Sequence, residues 1–233
     1  LCMIVKNEER NLDKCLSNIV GYVDEIIIVD TGSKDKTKEV ACKYTDKVYD
    51  FDWVDDFSKA RNFSISKATN DWILVLDADE FLICFDKFQV QKFMCQNEKA
   101  IGRIERIEII SYDQNTGEIR KARERISRLF NRKYYRYEGL IHEQVVPIDG
   151  IISNTGYVNI SVDHVGYTSE EVSGKNKWER NKKLLEKSIE ENPNDPYLYY
   201  NLGKVHYLTK NYVDAINMFN KAMKFNIDYN LEY

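Results

Sequence analysis

The stretch Trp72-Ile73-Leu74-Val75-Leu76-Asp77-Ala78-Asp79-Glu80 decides the fold. Five apolar residues in a row, bounded by polar ones, read as a central buried strand. The run passes directly into Asp77-x-Asp79. That places both carboxylates at the strand's carboxyl edge, where open α/β sheets bind ligands. Hard oxygen donors suit Mg²⁺ or Mn²⁺, which in turn bridge the phosphate oxygens of a nucleotide. The plain alternative is a solvated acidic loop after a strand. Glu80 either starts a helix or supports the carboxylates ahead of it.

Upstream, short apolar runs alternate with amphipathic stretches, the pattern of βαβ units and a mainly parallel sheet. Leu1–Val5, Glu25–Val29 and Lys47–Phe51 read as strands. Leu12, Cys15, Leu16 and Ile19 recur at helical spacing and form one face. Asp35 is placed to cap a helix that turns Val40, Ala41 and Tyr44 inward, and Asp56 to cap another through Ala60, Phe63 and Ala68. From Ala100 the texture changes to alternation. Ile101 to Ile110, a turn at Asn115-Thr116-Gly117, Arg125–Phe130 and Tyr134–Tyr137 read as antiparallel strands, and Gly150 to Val165 continues in kind.

From about Ser173 the chain turns helical. Tyr199, Leu202, Gly203, Ala215, Phe219 and Ala222 fall at the spacings of the 34-residue tetratricopeptide pattern, with His206 at the second aromatic position and Ile227 at the closing proline. The stretch Asn176–Glu191, ended by Asn192-Pro193, resembles half of a preceding unit. Such units come in arrays of about three or more. The expected organisation is therefore an α/β domain over 1–172 and a helical repeat segment over 173–233, a fragment of a longer array.

Composition narrows the function classes. With 233 residues and 43% hydrophobic content the chain is not disordered. A net charge of −4 argues against nucleic acid as a partner. No apolar run approaches the ~18 residues of a transmembrane segment. Five cysteines, an odd number with no C-x-x-C pair, point to a reduced, cytoplasmic compartment. There is no G-x-G-x-x-G after a strand, no P-loop and no G-x-S-x-G elbow, so dinucleotide, P-loop and serine-hydrolase chemistry are unsupported.

Met3-Ile4-Val5-Lys6-Asn7-Glu8-Glu9, Val29-Asp30-Thr31-Gly32-Ser33, Asp56-Phe57-Ser58-x-Ala60-Arg61-Asn62 and Leu76-Asp77-Ala78-Asp79-Glu80 together resemble glycosyltransferase family 2. Arg128-Leu129-Phe130, Gly139-Leu140-Ile141-His142-Glu143 and His164-Val165-Gly166-Tyr167 continue that resemblance. With the helical repeats, the chain is similar to the peptide- or protein-modifying branch that includes bacteriocin S-glycosyltransferases. The resemblance implies a Rossmann-like GT-A fold with a mixed sheet, binding a nucleotide sugar. It implies that Val5, Asn7 and Glu8 border the nucleoside and that Asp30, with Thr31 where many relatives carry a second Asp, meets uracil or ribose. Arg61 would approach the nucleotide, and Asp77, with Ala78 beside it, would face ribose or sugar. Asp79 and His164 would hold Mn²⁺ or Mg²⁺. Glu143 would be the general base, with His142 as its positioning neighbour. Lys177 either reaches back to the diphosphate or belongs to the solvated face of a Lys-rich helix. Arg128 would line the acceptor side. Tyr134, Tyr135 and Tyr137 either stack on sugar or peptide or pack within a strand; His206 belongs to the core.

The function this implies is metal-dependent, inverting transfer of a hexose or N-acetylhexosamine from a UDP-sugar to a peptide or protein side chain. The acceptor loses its proton as it attacks the anomeric carbon, which a carboxylate within reach promotes. A thiol acceptor, with a reference pKa of about 8.5, needs that help less than an alcohol. Concave helical arrays hold extended peptides, which motivates a protein acceptor; the same tail offers a surface for homo-oligomerisation. The rival readings are transfer to lipopolysaccharide core or another glycan, and a non-catalytic repeat scaffold with a degenerate nucleotide-sugar pocket.

Overall fold

The computed structural model describes residues 1–112, 119–151, 154–164 and 174–225. The expected turn at Asn115-Thr116-Gly117, the Gly166-Tyr167 segment and Ile227 lie outside the described residues. The chain divides into two compact units. The first comprises Leu1–Val54, Ser58–Glu138 and Gln144–Tyr167; the second comprises Asp55–Phe57, Gly139–Glu143 and Thr168–Tyr233.

The first unit opens as the apolar runs require. Strands β1 (Cys2–Val5), β2 (Ile27–Asp30) and β3 (Val48–Asp50) pair in parallel in that order. Helices α1 (Leu12–Ile19), α2 (Thr37–Ala41) and α3 (Phe57–Lys67) alternate with them. Strand β4 (Trp72–Leu74) ends two residues short of the apolar run, and a parallel bridge from Cys2 to Val75 seats it beside β1. On its other side β4 pairs antiparallel with β7 (Ile119–Asn131), which pairs with β6 (Ile101–Tyr112). Beyond them lie β10 (Thr155–His164) and β5 (Glu80–Phe85). The order β3-β2-β1-β4 has its topological switch between β1 and β4, and the sheet as a whole is mixed, as in a GT-A fold. A short hairpin, β8 (Tyr135–Glu138) with β9 (Gln144–Pro147), forms a separate two-stranded sheet.

Alternation within each parallel strand fills two layers. Met3 and Val5 of β1 and Ile28 of β2 pack on one face with Leu12, Leu16 and Ile19 of α1. Cys2, Ile27 and Val29 pack on the other with Ile65, Ile73 and Phe130. Both faces are therefore dry, as parallel strands demand. Tyr135 and Tyr137 are buried against Phe130, ring centroids 6.2 and 5.6 Å away, so packing is what these tyrosines do here.

Two expectations change and one alternative is decided. Glu80 begins β5, so of its two readings the helix start falls away, and β5 with α4 (Lys87–Gln96) fills a stretch that carried no clear periodicity. Strand β10 runs parallel to β6, not antiparallel, because its antiparallel partner is β5. Helix α3 does not bury Phe63 fully; its covered side includes Ala60, Arg61, Ser64 and Ile65. A guanidinium thus takes a position an apolar pattern would not assign.

The second unit contains α5 (Gly174–Glu191), α6 (Pro196–Leu208) and α7 (Tyr212–Lys224). Asp195 caps α6, accepting from the Tyr197 backbone N–H at 2.9 Å, and Pro196 follows at the first helical position. Gly203 lets α6 and α7 approach: a Cβ there would sit 2.6 Å from the Phe219 ring. Leu202, His206 and Ala215 are buried. Among the described residues, no helix is long and apolar enough to cross a membrane.

One carboxylate ties the amino ends of the parallel strands. Glu25 accepts from Lys47 Nζ, from the Thr69 backbone N–H (2.8 Å) and hydroxyl (3.0 Å), and from the Asn70 side chain (3.2 Å). Burial pushes its carboxyl up, but these donors outweigh burial and lower it to about 2. A folded-state pKa below the ordinary 4.5 contributes stability that is complete above 4.5 and is lost as pH falls toward 2. Glu25→Gln is therefore expected to cost about 1–2 kcal/mol at pH 7. In chemical denaturation its deficit relative to wild type should shrink as pH drops from 4.5 to 2.

Candidate active site

The site is built where β1, β2 and β4 end. After β1, Asn7 adopts φ 57°, in the left-handed region that Asn tolerates. Its Oδ1 accepts from the Lys34 N–H and its own N–H donates to Ser33 Oγ, both at 2.8 Å. Glu8 donates its N–H to Thr37 Oγ1 at 2.7 Å. Thr31 donates both N–H (2.9 Å) and hydroxyl (3.1 Å) to the Val5 carbonyl. The loops after β1 and β2 are thereby laced into one rim.

Asp30 closes the end of β2. Its Oδ1 accepts from the N–H groups of Gly32 and Ser33, each at 2.8 Å, and Gly32 supplies the positive φ of that turn. Its Oδ2 is buried with no hydrogen-bond partner among the described residues. A buried acceptor in that state costs free energy unless something fills it.

The acidic turn after β4 is clamped. Asp77 receives Arg61 Nη2 on Oδ1 at 2.8 Å and Arg128 Nη2 on Oδ2 at 2.7 Å. Burial pushes the Asp77 carboxyl up, but Arg128 and Arg61 outweigh it and hold it well below the usual carboxylate range. Glu80, fully buried, accepts from the Asp77 N–H (3.0 Å) and from Arg128 (3.0 Å). Burial raises the Glu80 carboxyl, opposed by Arg128. Glu80 is thus a support for the turn. Arg61 and Arg128 both act on Asp77, and Ala78 is buried between the two aspartates.

Asp79 meets a histidine from across the sheet. Its Oδ2 lies 3.2 Å from His164 Nε2, at the end of β10. Burial lowers the imidazole pKa, but Asp79 and Glu108 overcome it and raise the ring to about 9. Glu8 also faces this turn: burial raises its carboxyl, Asn11 opposes that, and Asp79, Asp77 and Asp35 push it further up. The profile of glycosyl transferase family 2 matches residues 1–149, which contain the rim, the clamp and Asp79. The chain belongs to glycosyltransferase family 2.

A tetratricopeptide repeat profile matches residues 184–217 of this family 2 chain, within the helical unit. A TPR repeat-containing protein of Synechococcus elongatus is 36% identical over 213 residues, covering 87% of this chain and 51% of that protein. The SPbeta prophage-derived glycosyltransferase SunS of Bacillus subtilis is 28% identical over 232 residues, covering 95% and 52%. The crystal structure of S. aureus TarS 1-349 aligns with a TM-score of 0.48 at 12% identity, over 99% of this chain and 74% of that one. The chain spans about half the length of these curated relatives.

The structure joins Val5, Asn7, Glu8, Asp30, Thr31, Arg61, Asp77, Ala78, Asp79 and His164 within the first unit. His142 and Glu143 belong to the second, with Lys177, which is exposed on α5. The loop that carries Glu143 is anchored among the helices. Ile141 is buried with Leu184, Leu185, Leu198 and Leu202, and Leu140 accepts from the Phe57 N–H at 2.9 Å. His142 takes φ 53°, in the left-handed region that few non-glycine residues adopt, and Gly139 takes φ 108°.

Sequence reading missed Arg106, Glu108 and Glu124. The only signal was the alternation of Arg and Glu along β6 and β7, which marks one strand face without saying what it meets. The clamp itself is testable. Arg128→Leu removes the main partner of buried Glu80 and is expected to cost about 3–5 kcal/mol in urea denaturation. Adding Glu80→Gln should recover part of that loss, because no ionised carboxylate is then left stranded.

Proposed function

We propose that this chain carries metal-dependent, inverting transfer of a hexose or N-acetylhexosamine from a UDP-sugar to a peptide or protein side chain. The observation that carries the reading is the Asp79–His164 pair, one oxygen and one nitrogen donor 3.2 Å apart. That separation is close to the roughly 3 Å between adjacent corners of an octahedron with bonds of about 2.1 Å. Among the described residues no group of three His, Cys, Asp or Glu forms a closed cage, and Mg²⁺-like cations ordinarily keep sites for water and substrate phosphates. Charge supports the fit. Asp77, Asp79, Glu80, Glu108 and Glu124 face Arg61, Arg106, Arg128 and the His164 ring in one linked network, with one negative charge in excess while the imidazole is protonated and two once it is neutral.

Asp79 and His164 would hold the cation, which when bound supplies charge stabilisation for the departing diphosphate. The buried Asp30 Oδ2 accepts the uracil N–H or a ribose hydroxyl and so satisfies its missing bond. Asp77, kept ionised by two arginines, can only accept, which suits hydroxyl donors of ribose or sugar. Val5, Asn7, Glu8 and Thr31 shape the nucleoside rim, and Arg61 acts by setting Asp77. Glu143 takes the proton of the acceptor as its oxygen or sulfur attacks the anomeric carbon, with inversion there. His142 and the Ile141 anchor fix the loop that presents Glu143. Lys177 adds positive charge for the diphosphate. The helical unit offers the acceptor surface, in the manner of stacked helical repeats.

UDP release from UDP-sugars, followed with and without Mn²⁺, tests the donor side. Turnover should require the cation, and Asp79→Ala should lower it by about 100-fold or more. Metal-independent turnover would overturn the metal assignment. Ile141→Ala should lower kcat several-fold with the donor KM little changed. An acceptor panel decides the rest: transfer to a core oligosaccharide with none to any peptide would reject the protein acceptor.

A further inference from the structure

The ladder registers of the mixed sheet set three side chains in one row. His164 of β10 stands opposite Glu80 of β5 on one side and Glu108 of β6 on the other. The imidazole consequently faces a carboxylate at each nitrogen: Nε2 lies 3.2 Å from Asp79 Oδ2, and Nδ1 lies 3.4 Å from Glu108 Oε1, within ion-pair range. Glu108 is on the far side of the ring from Asp79, so it lies outside any sphere shared by Asp79 and Nε2. It is itself held in place. Arg106 Nη2 donates to Glu108 Oε1 at 2.9 Å and also pairs with Glu124, its cross-strand neighbour, while Nη1 reaches Glu80 at 3.5 Å.

We propose that Glu108 is a positioning residue that, held by Arg106, fixes the His164 ring with its proton on Nδ1 and its Nε2 lone pair directed at the cation site. This rests on the metal reading above. A carboxylate behind a ligating imidazole sets the tautomer, stops ring rotation and raises the basicity of the ligating nitrogen. The bland alternative is that Glu108 serves only as a surface partner for Arg106. The geometry separates the two. Arg106 keeps Glu124 and Glu80 when Glu108 is neutralised, so its burial remains compensated, and the specific loss falls on His164. Glu80 is no substitute, because its oxygens are engaged with the Asp77 N–H and with Arg128.

Mn²⁺ binding in the presence of UDP, measured by electron paramagnetic resonance, is the test. Wild type, Glu108→Gln, His164→Ala, their double variant and Asp79→Ala would be compared, with thermal melting as a control for folding. Glu108→Gln should melt near wild type yet bind Mn²⁺ about 10–100-fold more weakly. The double variant should bind no more weakly than His164→Ala alone, since both changes disable one ligand. Wild-type affinity in Glu108→Gln beside a clear loss in His164→Ala would overturn the positioning role and leave the metal site standing. Additive losses in the double variant would overturn it too. Failure of wild type to bind Mn²⁺ with UDP, or equal binding by Asp79→Ala, would overturn the metal reading and this inference with it. If Glu108→Gln does not fold, nitrogen NMR of wild type with UDP and Mg²⁺ still decides. The chain has three histidines, and His164 should show the Nδ1–H tautomer; Nε2–H would refute the assignment.

Discussion

Asp77 sits between two guanidinium groups, and the remaining site geometry depends on that clamp. Arg61 arrives from α3 and Arg128 from β7, one on each carboxylate oxygen. Glu80 closes the arrangement from behind, accepting the Asp77 N–H and a second bond from Arg128. In a half-dry environment such charge-assisted bonds are strong when complete and costly when broken. The turn from Asp77 to Glu80 therefore has one shape available to it. That shape points Asp79 at His164 and launches β5, whose pairing with β10 brings His164 to the same edge.

The same logic of paired elements governs the two loops that would handle substrate. The rim after β1 and β2 is laced by side chain to backbone bonds through Asn7, Thr31, Ser33 and Thr37, so it needs no glycine-rich phosphate loop to hold its form. The Gly139–Glu143 loop is different. It leaves a hairpin of the first unit by sequence, but its apolar residue is buried among helices of the second. The helical segment is thus part of what holds Glu143, in addition to any surface it offers to an acceptor.

Much of the frame was readable from local pattern. Apolar runs of four or five residues separated by amphipathic helices specify parallel strands, because only strands buried on both faces tolerate such runs. The α1 face of Leu12, Cys15, Leu16 and Ile19 is buried as its spacing requires. The repeat spacing placed Gly203 and Phe219 on facing helices, and they meet there. Segment Glu80–Gln96 was not readable: it lacks a clean period, and it forms β5 and α4 because β10 offers it a partner.

The chain by itself determined the element types of the first eighty residues, the acidic pair at a strand end and the helical tail, since each is a property of neighbours in sequence. Tertiary structure alone decided which charges meet. Arg61, Arg128, Glu108 and His164 are separated by as many as about a hundred positions, and no local period ties them to Asp77 or Asp79. Their contacts are set by strand order and register, which follow from long-range pairing and not from any window of sequence.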